Sequence, residues 1–242
     1  MRDKILIIHG LNNNMEAFVP LKCKLEAIGY ETSLLCLPGH GYNREETRDF
    51  ENAMEIFNQK MGEYTTPYYV IAFSQGALYL QLWLKKNPSR LPKAQLLLAP
   101  ALFIRHFSKL NCLLAGLPSF AFIMSQMPKK LRRYNYLYIW EYRTLFNKAK
   151  RFQKDISHFK IPTLILVDPK DELVDSQKLK SKLNQIHSGA EVVFLRRDYL
   201  KGKRPGKYHI LFHPNYFSPE DWEYFVNKID LFFKRYPPNF EA

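Results

Sequence analysis

The chain has 242 residues, nearly half of them apolar, and a formal net charge of +13. That length suits one α/β core carrying an insertion. No apolar stretch reaches the ~18 residues of a spanning helix, the N-terminal apolar run ends too soon at His9 to form a secretory signal, and three scattered cysteines, Cys23, Cys36 and Cys112, form neither a disulfide framework nor a zinc site.

Buried parallel strands read as continuous apolar runs, and the helices between them show a 3.6-residue period. Lys4–Ile8 is the first such run. A helix over Glu16–Ile28 follows and stops at Gly29. The second strand is Thr32–Leu37, with a helix over Glu45–Met61 behind it. Tyr68–Phe73 is the third strand, and Gly76–Lys86 is a helix stopped by Pro88. Gln95–Ala99 is the fourth strand. After a long interval come the fifth, Thr163–Val167, a helix over Asp175–Ile186, and the sixth strand, Glu191–Leu195. A last helix, Pro219–Phe233, opens with Pro at its first position and acids in its first turn. Strand–helix alternation implies a parallel sheet covered on both faces. Residues 1–100 and 161–242 are therefore expected to form the core. The interval 101–160 shows no strand alternation and is expected to form a mostly helical lid. The cysteines read as small buried hydrophobes in a reducing setting.

The positive charge is concentrated. Residues 101–160 hold twelve Lys and Arg against Glu141 and Asp155, and 196–207 hold six against Asp198. The rest of the chain is slightly acidic. The basic segments contain no recognisable nucleic-acid module, which argues against nucleic-acid binding.

The sharpest chemical signal is Ala72-Phe73-Ser74-Gln75-Gly76, between an apolar strand and a helical pattern. A tight strand–turn–helix lifts a serine hydroxyl above the sheet edge, provided that the residues two before and two after are small. Ala72 and Gly76 meet that demand. The Gly-turn His9-Gly10 after the first strand can aim a second N–H at a developing oxyanion, so the backbone N–H groups of Leu11 and Gln75 are the expected donors, with His9 structural.

The succession Ile7-Ile8-His9-Gly10, Pro38-Gly39-His40-Gly41 and Ala72-Phe73-Ser74-Gln75-Gly76 resembles the α/β-hydrolase superfamily, most closely its carboxylesterase, monoacylglycerol lipase and lysophospholipase group. Asp168-Pro169-Lys170-Asp171-Glu172-Leu173-Val174 resembles that group's acid loop, and Lys207-Tyr208-His209-Ile210-Leu211 its histidine loop. The resemblance runs from about residue 4 to 235 apart from the lid, and starts at what would be the family's third strand. It departs at Ala72 and Asp168, where Gly is commoner. It implies a mostly parallel sheet of about six strands with helices on both faces and an inserted lid.

The chain order Ser, acid, His then assigns Ser74 as nucleophile, Asp171 as orienting acid and His209 as base. Asp168 and Asp175 are the acid's rivals, the first a turn former and the second a helix N-cap. His213 is the reserve base, and His187 stands on the wrong side of the sixth strand.

The expected function is a serine hydrolase of acylglycerol, lysophospholipid or similar amphiphilic esters, with no metal or organic cofactor. Arg132, Arg133, Arg204 and Lys207 are expected at a positive substrate mouth. The bland alternative is a solvated lid surface with its aromatics packed on the core. The expected setting is the cytoplasm, with peripheral contact to an anionic membrane. The competing readings are a thioesterase using the same site and a non-catalytic relative that binds a lipid or partner. A peptidase lacks an acidic cluster for the substrate amine, and a dehalogenase would carry Asp at the elbow.

Overall fold

A computed structural model of the protein describes residues 2–41, 44, 49–64, 68–105, 116–125, 127–154, 156, 159–186, 188–198 and 208–237. The six apolar runs pair as one sheet. In chain order, β1 is Lys4–Ile8, β2 Glu31–Leu35, β3 Tyr68–Phe73 and β4 Ala94–Leu98. A small ribbon, β5 (Phe122–Met124) with β6 (Tyr136–Tyr138), precedes β7 (Thr163–Val167) and β8 (Ala190–Phe194). The sheet order is β2-β1-β3-β4-β7-β8, with every neighbouring pair parallel. β3, β4 and β7 are buried along their whole length, whereas the outer strands β2 and β8 are partly exposed. This is why the central runs carry almost no polar residues.

Side chains alternate across the sheet. Ile5, Ile7, Tyr69, Ile71, Phe73, Leu96 and Leu98 face one apolar layer. There they meet Leu21 and Leu25 of α1 (Val19–Ala27) and Phe225, Ile229 and Phe233 of α6 (Pro219–Lys234). Leu6, Ile8, Val70, Ala72, Leu97 and Ile165 face the other layer. It is built from α2 (Phe50–Gly62), α3 (Gln75–Lys86) and α5 (Ser176–Gln185). Gln95, at the sheet's buried centre, is satisfied by accepting from Gln81 (2.8 Å) and donating to Thr163 Oγ1 (2.8 Å).

One expectation gains detail and one changes. The described part of 101–160 contains the helix α4 (Ile139–Lys154) and also the antiparallel β5–β6 ribbon. Three-residue strands are too short to show a period of two, so the ribbon left no pattern to read. Cys23 is exposed and not buried. The buried face of α1 is set by Leu21 and Leu25, four residues apart, and Cys23 stands on the opposite side. Cys36 is half-buried, and Cys112 lies outside the described residues. Among the described residues, no helix is long and apolar enough to cross a membrane.

Candidate active site

All six strands of the large sheet end at one edge, and loops leaving that edge carry Ser74, Asp171 and His209. β3 runs into Ser74, whose backbone is left-handed at φ 51°, before α3 starts at Gln75. A non-glycine residue held there is strained, and such strain persists only where surroundings hold it. They do so here. Ser74 donates its N–H to Leu98 O (2.9 Å), and its carbonyl accepts from Ala101 N–H (3.0 Å). Gly76 is compelled: a Cβ there would sit 2.2 Å from His9 O. A Cβ on Gly10 would sit 2.9 Å from Ser74 Cβ, so the turn after β1 touches the serine directly.

The loop after β7 presents Asp171, which is buried. Its Oδ1 accepts N–H bonds from Leu173 and Val174, both at 2.8 Å. Its Oδ2 lies 2.8 Å from His209 Nδ1. A carboxylate only accepts, so Nδ1 carries the proton, and Nε2 is left to accept from Ser74 Oγ at 2.9 Å. The histidine is 3% and the serine 8% exposed, so the relay is nearly dry yet reachable. Phe73 packs against the imidazole with ring centroids 4.9 Å apart.

The structure thus brings Ser74, His209 and Asp171 together. The rivals have other occupations. Asp168 accepts from Lys170 N–H and from Arg197. Asp175 caps α5 by accepting from Lys178 N–H. His213 caps the 3-10 turn Pro214–Tyr216. His187, Arg204 and Lys207 lie outside the described residues.

Sequence reading expected His9 to be structural, as it is, and missed the rest of the frame around this relay. His9 Nε2 accepts from Leu37 N–H (3.0 Å), so its Nδ1–H donates to Gly10 O (2.8 Å). His40 Nε2 accepts from Asn12 N–H (2.7 Å), and its Nδ1–H donates to Pro38 O (3.0 Å). Burial first, then mutual repulsion with His40, pushes His9 down to about 3. Burial pushes His40 down to about 4. Both rings are neutral braces under the turn that carries Leu11.

Asn12 clasps the insertion to this turn. Its side chain donates to Ser125 Oγ (2.8 Å) and Tyr134 O (2.9 Å) and accepts from Tyr134 N–H (2.7 Å), on a backbone at φ 58°. Nearby, Arg44 donates to Glu141 (2.6 Å) with its guanidinium over the rings of Tyr134, Tyr136 and Tyr138. Arg132 donates to Ser125 O and Asn135 Oδ1, and Arg133 to Gly41 O. Backbone bonds set both residues alongside Asn12 and Asn13. Arg197, one of the six bases of 196–207, is 2% exposed and turned inward. Among the described residues, no group of three or more His, Cys, Asp or Glu is arranged to hold a metal ion.

A family model described as serine aminopeptidase, S33 matches residues 1–138, a span that includes Ser74 and stops before Asp171 and His209. No curated protein matches the chain in sequence. Among solved structures, a monoacylglycerol lipase from Paleococcus ferrophilus is 16% identical with a TM-score of 0.71, covering 96% of this chain and 94% of its own. A soluble variant of monoglyceride lipase from Saccharomyces cerevisiae, in complex with a substrate analogue, is 13% identical with a TM-score of 0.76, covering 98% and 88%. A thioesterase domain from the curacin biosynthetic pathway is 16% identical with a TM-score of 0.58, covering 81% and 85%. These likenesses establish the α/β-hydrolase fold. The family match spans more than half of the 242 residues, and the chain belongs to the serine aminopeptidase S33 family of hydrolases.

Proposed function

We propose that this protein is a serine hydrolase of carboxylic esters, with amphiphilic acyl esters such as acylglycerol or lysophospholipid as its substrate class. The observation that carries the reading is the continuous hydrogen-bond relay from Ser74 Oγ through His209 to Asp171, at 2.9 and 2.8 Å. In the proposed reaction His209 Nε2 takes the Ser74 proton as Oγ bonds to the acyl carbon. The carbonyl π electrons move to oxygen, and the resulting oxyanion is met by the N–H groups of Leu11 and Gln75. Gln75 suits this because it opens α3, where the first N–H groups have no partner within the helix. Leu11 suits it because Gly10 lies against Ser74. Collapse breaks the bond to the leaving alkoxide, which takes the proton from His209. Water then repeats the sequence and frees the acid. Apart from the attacking water, every step uses groups of this chain, with no cofactor.

Asp168, Asp171 and Glu172, the carboxylates of the acid loop, each already hold protein N–H donors, so that loop offers no cluster of acids set aside for a substrate amine. This favours esters over the aminopeptidase activity that the family's description names. A thioesterase would use the same relay with a thiolate leaving group. The fold likeness to a thioesterase domain keeps that second reading in view. Substrate entry beside Arg132 and Arg133, peripheral contact with an anionic membrane and a cytoplasmic setting belong to the same proposal. The exposed Phe120, Phe122 and Met124, close in sequence to Lys129 and Lys130, support the membrane contact.

The test is a panel of p-nitrophenyl esters, lysophospholipids, acyl-CoA thioesters and aminoacyl amides, each run with the wild type and Ser74→Ala. The proposal expects turnover of esters that vanishes in the variant. Amide turnover alone, or equal rates for both proteins, would overturn it.

A further inference from the structure

The loop bearing His209 is held from both sides by groups that the chemistry does not consume. Glu172 accepts the N–H bonds of Tyr208 (3.3 Å) and His209 (3.2 Å). From the other side, Arg197 Nη1 donates to Ile210 O (2.7 Å) and Tyr216 O (3.1 Å), and Nη2 donates to Tyr208 O. Its Nε donates to Asp168 Oδ2 at 3.1 Å, with both side chains 1% exposed. The face of the guanidinium lies 4.9 Å from the Phe217 ring. Asp168 belongs to the acid loop: its Oδ1 accepts from Lys170 N–H (2.8 Å), and its carbonyl accepts from Asp171 N–H (3.0 Å). One planar group therefore joins the peptide units on both sides of the imidazole to the turn that carries its carboxylate partner.

We infer that Arg197 is a positioning residue, which sets the distance between the His209 and Asp171 side chains by cross-linking their two loops through Asp168. The inference rests on the reading of His209 as the base. The physical ground is the choice of residue. A buried ion pair is costly to desolvate, and apolar residues of similar volume usually stabilise a core as well or better. Four donors in a fixed plane can satisfy three carbonyls and a carboxylate at set angles, whereas a lysine ammonium has three donors on a flexible stem. What the pair supplies beyond cohesion is registration of two loops, and a misplacement of about 1 Å at a reacting group costs roughly 100-fold in rate.

The experiment compares Arg197→Lys and the double variant Asp168→Ala/Arg197→Met with the wild type, measuring kcat, KM and thermal midpoint on a p-nitrophenyl ester. Rates are expressed per folded molecule. Arg197→Lys keeps the charge and part of the bonding, so it is expected to fold and to lose about 10-fold in kcat, with KM within threefold. The double variant removes both charges at once. Its thermal midpoint is expected to lie at or above that of Arg197→Lys, while its kcat falls by about 100-fold. A role in cohesion alone predicts wild-type kcat per folded molecule, so wild-type kcat in either folded variant would overturn the inference. A loss carried by KM would overturn it too. Ser74→Ala is run beside them. If that variant hydrolyses the ester normally, the proposed function has failed. If it is inactive while the Arg197 variants are fully active, only the positioning role has failed.

Discussion

Replacing Asp171 by Asn separates a carboxylate that orients an imidazole from one that merely fills a turn. The two oxygens have different duties. Oδ1 takes two backbone N–H bonds, from Leu173 and Val174, and Oδ2 faces His209 Nδ1. An amide must therefore keep its oxygen at the Oδ1 position, because an NH2 group there would meet two donors. The NH2 then points at His209 Nδ1 and forces that nitrogen to accept. The proton moves to Nε2, which turns a donor toward Ser74 and can no longer take its proton. The turn keeps its bonds, so the thermal midpoint should move by only a few degrees. The rate should fall by about 10⁴, which corresponds to about 5 kcal/mol of transition-state stabilisation. The assay is steady-state hydrolysis of a p-nitrophenyl ester, with circular dichroism to establish folding. Activity within tenfold of the wild type in a folded Asp171→Asn protein would refute the reasoning.

Gly76→Ala places a methyl 2.2 Å from the His9 carbonyl, a backbone atom that cannot swing away, so thermal unfolding should report a loss on the order of 3 kcal/mol; an unchanged midpoint would contradict the packing of α3 on β1. His9 and His40 are held neutral, at about 3 and about 4, against the usual 6.5 of a free histidine. Above pH 6.5 neither state binds protons at these rings, whereas below it the unfolded chain gains protons that the folded chain refuses. Stability is therefore lost as pH falls from 6.5 toward 4, by about 2 kcal/mol per ring at pH 5. Urea titrations at pH 7 and pH 5 should differ accordingly, and by less in His40→Gln; equal midpoints in the wild type would contradict the neutral-brace assignment. If cationic entry residues draw in anionic amphiphiles, added salt should lower kcat/KM for an anionic lysophospholipid and leave that for p-nitrophenyl acetate unchanged; salt-independent rates on both would rule out steering.

The parts legible in the sequence were those whose signal is local. Tyr68–Phe73 had to be a central strand because it is apolar throughout, and Gly76 flags the elbow because a side chain there would meet the His9 carbonyl, with the buried Ala72 on the other side of the turn. The loops after β7 and β8 could be placed by chain order, which brought Asp171 and His209 to Ser74. What stayed hidden is held by partners far along the chain. Nothing near Arg197 indicates that it lies buried beneath residues 208–216, and a run of bases reads as a solvated face. Asn12 looks like one of three asparagines in a turn, and its role depends on Ser125 and Tyr134, more than 110 positions away. His40 likewise gives no local sign that its ring braces the backbone of Asn12.

The most direct test is to trap the nucleophile. A fluorophosphonate should add one phosphonyl mass to the native protein, and peptide mapping should place it on Ser74, with no adduct in Ser74→Ala or in heat-denatured protein. An adduct on another residue, or a folded, ester-cleaving wild type that takes up none, would contradict the assignment of Ser74 as the attacking group.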